Sequence, residues 1–123
     1  MIRARFVNPI LEALQKVQPY EGSSSMAVYI DQILHTIRQM EDHLPDDPLL
    51  EVLFALYDAL AFNGRWVHYK ADQYAKAIEV VRRVSQQQPL QTNAVEEAIM
   101  ELENIGFDTT PYPLDMEEME EEV

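Results

Sequence analysis

Leu49-Leu-Glu-Val-Leu-Phe-Ala-Leu-Tyr-Asp-Ala-Leu-Ala-Phe62 decides the fold class. Leu49, Leu50, Val52, Leu53, Phe54, Leu56, Tyr57, Leu60 and Phe62 cover most of a helix circumference, and a helix apolar nearly all round is buried on more than one side. Glu51 and Asp58 interrupt the run, which is also shorter than the ~20 residues that span a bilayer. It is therefore read as the central helix of a soluble bundle. Leu44-Pro-Asp-Asp-Pro48 forms a hinge ahead of it, with Asp46 or Asp47 as cap. Asn63-Gly64 ends it, because either residue adopts the left-handed conformation of a helix C-terminus.

Working outward, Ser25 caps a helix over Met26–Leu44. Its apolar residues Met26, Ile30, Ile33, Ile37, Met40 and Leu44 step by alternating fours and threes, the repeat of a packed seam. Upstream, Asn8 and Pro9 read as a cap and a first-turn proline opening a short helix over Ile10–Val17. Downstream, a helix is expected over Trp66–Gln87, stopped by Pro89. Its apolar side is Trp66, Tyr69, Tyr74, Ala77, Ile78, Val81 and Val84. Thr92 caps a last helix with Val95, Ile99, Leu102 and Ile105 inward, and Gly106 ends it. Sustained period-two alternation occurs nowhere. The expected fold is all-α: a single-domain bundle of about five helices over residues 1–106, then an extended segment and acidic C-terminal tail over 107–123.

Tyr74-Ala-Lys-Ala77-Ile-Glu-Val-Val81-Arg-Arg-Val84, with Pro89, resembles the second helix of a tetratricopeptide repeat. Asn63-Gly64 breaks the chain where that repeat's first helix would continue, and no second copy follows. Arrays of this kind need about three repeats, so the stretch is read as one half of a packed helix pair.

Charge is unevenly placed. The chain of 123 residues carries a net charge of −13. Residues 1–91 hold all nine Lys and Arg against half of the 22 acids, while residues 92–123 hold the other half and no base. Such a balance opposes nucleic-acid phosphates and anionic membrane surfaces. A basic protein surface is the complement. There is no cysteine, hence no disulfide or thiolate ligand, which agrees with a cytoplasmic protein. The basic start Met1-Ile-Arg-Ala-Arg-Phe-Val lacks the apolar stretch of a secretory signal.

Chemistry-bearing motifs are sparse. No phosphate loop, dinucleotide fingerprint, HExxH or nucleophile elbow occurs. Asp31 with His35, and His68 with Asp72, are four apart on expected helices. Pairs at that spacing arise readily on solvated faces, and the Glu-x-x-His of di-iron bundles is missing. No metal, cofactor or catalytic residue is expected. Six of the eleven aromatics (Phe54, Tyr57, Phe62, Trp66, Tyr69, Tyr74) crowd the corner between the third and fourth helices. The alternative function, a small-ligand site or enzyme, would use Tyr57, Trp66, His68, Tyr69 and Asp72 there, and the structural reading is that the rings fill a helical corner.

The leading expectation is an interaction or regulatory module. Glu96, Glu97, Glu101 and Glu103 on the last helix, with Glu117 and Glu118, would meet a basic partner. Met116, Met119 and Val123 would supply apolar anchors at i, i+3 and i+7. A structural subunit, or a homodimer built on the second helix's seam, is the third reading.

Overall fold

The structure, a computed structural model, describes residues 2–17, 23–63 and 69–110. The helices are α1 (Ile2–Val17), α2 (Ser23–His43), α3 (Leu49–Asp58), α4 (Ala71–Ser85) and α5 (Thr92–Ile105). α3 runs on into a π-helical turn, Ala59–Asn63. The described residues contain no strand. The expected all-α bundle is the observed one, a single helical domain.

α1 packs between α2 and α4, while α3 packs against α2, α4 and α5. One core joins all five helices. Leu14, Ile37, Met40, Leu49, Val52, Ala77, Val81 and Leu102 are completely buried in it. In the seam of α2, Ile33, Ile37 and Met40 pack into this core, and Ile30 and Leu44 lie partly buried against it.

The first helix corrects the sequence reading. Pro9 lies inside α1, and the helix begins seven residues ahead of it, at Ile2. An interior proline costs about 3 kcal/mol, because it removes a hydrogen bond and crowds the carbonyl four residues back. Burial outweighs that cost. Phe6, Val7, Ile10, Leu11, Leu14 and Val17 all enter the core, and each large apolar side chain contributes about 1.5–3 kcal/mol. Pro9 itself is on the exposed side, where the freed carbonyl of Arg5 can turn to water. The basic start of the chain is therefore the first turns of a core helix.

Other boundaries shift less. α2 begins at Ser23, so Ser25 lies within its first turn instead of capping it. Gln91, with an extended backbone, precedes α5, and Thr92 is its first residue; burial of Leu90 sets that approach. α4 starts at Ala71, and residues 64–68, where it was expected to begin, lie outside the described set. Lys70 is extended there, with its N–H donating to Gln73 Oε1 at 2.7 Å. The same Gln73 donates from Nε2 to the carbonyl of Ile105 at 3.0 Å. One side chain thus joins the start of α4 to the end of α5.

Gly106 ends α5 as expected. Its φ of +124° is strained for any residue with a side chain, and a Cβ there would strike the amide of Gln73. The N–H of Phe107 returns to the carbonyl of Leu102 at 3.0 Å, a helix-closing bond that carries the Phe107 ring into the core.

The start of α3 is set by a joint that reaches across the molecule. Asp47 Oδ1 accepts the N–H of Leu49 at 3.0 Å, so Asp47 is the capping acid. Its carboxylate also receives Arg3 through both Nε (2.8 Å) and Nη2 (2.9 Å). Arg3 Nη1 then donates to the carbonyls of Ser85 and Gln87, both at 2.9 Å, at the C-terminus of α4. A cation there and an anion at a helix start both match the helix dipoles. With side-chain exposures of 8% and 9%, the pair is shut away from water.

Candidate functional site

α3 is not covered all round, and this departure from expectation shapes the site. Leu49, Val52, Leu53 and Leu56 are buried, but Glu51 is exposed and Phe54, Ala55 and Asp58 are only partly covered. Positions 51, 54, 55 and 58 recur at i, i+3, i+4 and i+7, so they form one stripe along the helix. The stripe is the floor of a groove of about 890 Å³. Thr92, Ile99 and Glu103 of α5 make one wall, and Glu41, Pro45 and Asp46 around the end of α2 close the other side. Leu50, Phe54, Ala55 and Ile99 give it an apolar bed.

The groove's charge has one sign. Glu41, Asp46, Asp47, Glu51, Asp58 and Glu103 line it, and no Lys, Arg or His does so among the described residues. Asp47 is engaged by Arg3, and Glu103 Oε2 accepts the Thr109 hydroxyl at 2.8 Å. Asp58 is pushed above the usual carboxylate range because partial burial penalises its charged form. An anion held partly out of water with no cation beside it in the lining is stabilised by an incoming one.

The four acids expected on α5 do not act as one face. On a helix, 92, 96, 99 and 103 fall in one row, which brings Glu96 and Glu103 to the groove side. Glu97 and Glu101 fall on the other side. There Glu101 accepts from Arg83 of α4 at 2.6 Å, so α4 supplies the base that α5 itself lacks. Glu96, Glu97 and Glu103 are exposed. Met116, Glu117, Glu118, Met119 and Val123 lie outside the described residues, as do Trp66 and His68.

The aromatic corner divides in two. Tyr57 meets Phe62 edge-on at 5.9 Å on α3 and its π turn. Tyr69, Tyr74 and Phe107 form a separate trio, with Tyr69 and Phe107 only 4.4 Å apart. Phe107, assigned by sequence to an extended segment, completes it from behind α5. The Tyr69 hydroxyl donates to the carbonyl of Ala59 at 3.2 Å and accepts the N–H of Asp108 at 3.4 Å. Burial, and then the Tyr69 hydroxyl, pushes the Tyr74 phenol up to about 12. Burial also raises Tyr69, opposed by its bond from Asp108. Raised phenols of this kind stay protonated and serve packing. Asp72 is exposed in the first turn of α4.

His35 and Asp31 share an exposed face of α2 beside Pro9. His43 is exposed, hydrogen-bonded to the carbonyl of Gln39 at 2.9 Å, with its ring tilted against Phe6 at 5.5 Å. The described residues bring no three His, Asp or Glu side chains together in a metal-holding group. None of the described helices is long and apolar enough to cross a membrane.

The chain was compared with protein-family models, curated proteins and solved structures, and no match was found in any of the three.

Proposed function

We propose that this protein is an interaction module that recognises a basic partner, and that the α3/α5 groove is the surface it uses. The observation that carries this reading is a groove lined, among the described residues, by six acids and no cation over a partly covered apolar bed. Phe54 sits in that stripe, on a helix whose composition calls for burial on every side. A bound segment would bury the ring and bring counter-charge to Asp58 together. Charge of one sign mainly raises association rate and selects partners, while the apolar bed supplies affinity.

The C-terminal acids keep a place in this reading. In this proposal Glu117 and Glu118 widen the negative field, with Met116, Met119 and Val123 as apolar anchors. The module works in the cytoplasm, and a basic protein is its partner instead of nucleic acid or membrane.

The test uses a lysine-rich synthetic peptide and the full chain, measured by calorimetry. Reversing Glu51 and Asp58 to Lys should weaken binding about tenfold, or about 1.4 kcal/mol. Glu97→Lys, on the far side of α5, should change it less than twofold on the order expected for a screened surface charge. Equal losses from both variants would show attraction to net charge alone and end the groove reading.

A further inference from the structure

A second cleft adjoins the groove. It has a volume of about 780 Å³, and its walls include Leu44, Pro45, Pro48, Pro89 and Leu90. It shares Pro45, Asp46, Asp47 and Pro48 with the groove, so the two form one continuous surface that turns around the α2–α3 hinge. At its base lies Arg3, whose guanidinium already gives four hydrogen bonds to Asp47, Ser85 and Gln87. The base is therefore spent on the fold, and what the cleft offers a visitor is largely hydrocarbon.

We propose that this cleft is the anchor site for a bulky apolar side chain, aromatic or long aliphatic, carried on the same basic segment that fills the groove. The inference rests on the proposed function and specifies the partner: one large apolar residue next to a run of Lys or Arg. Three features support it. Leu44, Pro45, Pro48, Pro89 and Leu90 make an apolar half of the lining, beside His43, Asp46, Asp47 and Gln88, so a ring gains dispersion and burial against them. Pro45, Pro48 and Pro89 are rigid, so the cleft loses little freedom when occupied. Asp46 lines both the cleft and the groove, and the acids continue along the groove through Glu51 to Asp58. A segment anchored in the cleft would thus lay its next residues over carboxylates. The chain's own tail is a poor occupant, because residues 115–123 carry acids and no base and would be repelled along the groove.

The experiment pairs two peptides with two forms of the full chain. One peptide has a Trp followed by lysines, and the other has Ser in place of that Trp. The protein is wild type or Pro45→Gln, a change at an exposed rim position that makes the wall polar without adding charge. On wild type, Trp→Ser should weaken binding roughly ten- to hundredfold, the range expected for losing one buried large side chain. On Pro45→Gln the same peptide change should cost clearly less, which is the coupling a shared contact requires. A third peptide, with benzoylphenylalanine at the Trp position, should photo-crosslink to wild-type protein at residues 44–48 or 88–90. Equal losses from Trp→Ser on both proteins, or crosslinks confined elsewhere, would overturn the anchor. If the Ser peptide still loses affinity on the Glu51→Lys/Asp58→Lys variant, the groove reading survives that failure. If neither peptide responds to that reversal, the groove reading itself falls and takes the anchor with it.

Discussion

Asp47 and Asp58 sit on the same short stretch of chain, yet they belong to opposite electrostatic regimes. At the Arg3 joint, a carboxylate meets a guanidinium in two bonds, and the cation's remaining donors reach two carbonyls. Every charge there is answered from within the molecule. Along the groove, Glu41, Asp46, Glu51 and Asp58 are lined up with no cation among the lining residues. The contrast separates charge used to hold a fold from charge left for something else. Burying a pair is costly, and it is tolerated when geometry and further hydrogen bonds are complete, as at Arg3. Leaving like charges together costs stability through repulsion, and no cation among the described lining residues offsets it.

The largest expected effect breaks the answered side. Arg3→Ala strands the Asp47 carboxylate and two helix-end carbonyls, and should cost about 3–5 kcal/mol by urea unfolding. A loss under about 1 kcal/mol would mean that water repairs the joint, and the contrast with the groove would collapse. Next comes the Gln73 bridge, another site where internal partners are complete. Gly106→Ala imposes a side chain at φ +124° and displaces the Gln73 amide from Ile105. It should lower stability by more than about 1 kcal/mol, readable as a shift in melting temperature.

The smallest effect has the opposite sign. Asp58→Asn removes a partly desolvated charge near other acids, so it should raise the melting temperature slightly at neutral pH while weakening binding of the lysine-rich peptide. The pH dependence follows the same sign. Asp58 binds its proton more tightly folded than unfolded, so its contribution disfavours the fold above its raised pKa. That penalty fades as pH falls through the raised value toward the ordinary carboxylate range. The stability gap between wild type and Asp58→Asn should therefore narrow on acidification. A gap that widened instead would place a stabilising partner on Asp58 and remove it from the unanswered side.

Much of the fold was legible because its signals are local and periodic. The seam of α2 and the core positions of α3 to α5 follow from spacing alone, and Gly106 announces its own left-handed turn. α1 was misread because Pro9 is a genuine start signal, and what overrides it is distant. The partners of Arg3 lie 44, 82 and 84 residues away, which no window along the chain connects. The groove was legible only as an excess of acid, and most of that acid was counted in a different stretch of chain. Segment counts hid the groove, because acids of residues 41–58 were averaged with bases such as Arg82 and Arg83 on α4. Glu103 was the one groove acid counted in the acidic quarter that the groove lining retains. Phe107 was missed because helix-closing geometry, not sequence periodicity, turns it inward.

The span of the Arg3 joint has a consequence for synthesis. A ribosome adds about 5–20 residues per second, so Arg3 waits roughly 4–17 s for the carbonyls of Ser85 and Gln87 to be made. Until then α1 can pair with α2, but the end of the bundle stays unlatched and its arginine remains hydrated. A chain paused before residue 85 would expose Asp47 and its hinge without the α4 end that secures them. The nascent protein would then offer chaperones and proteases an unlatched hinge that the finished molecule ties down.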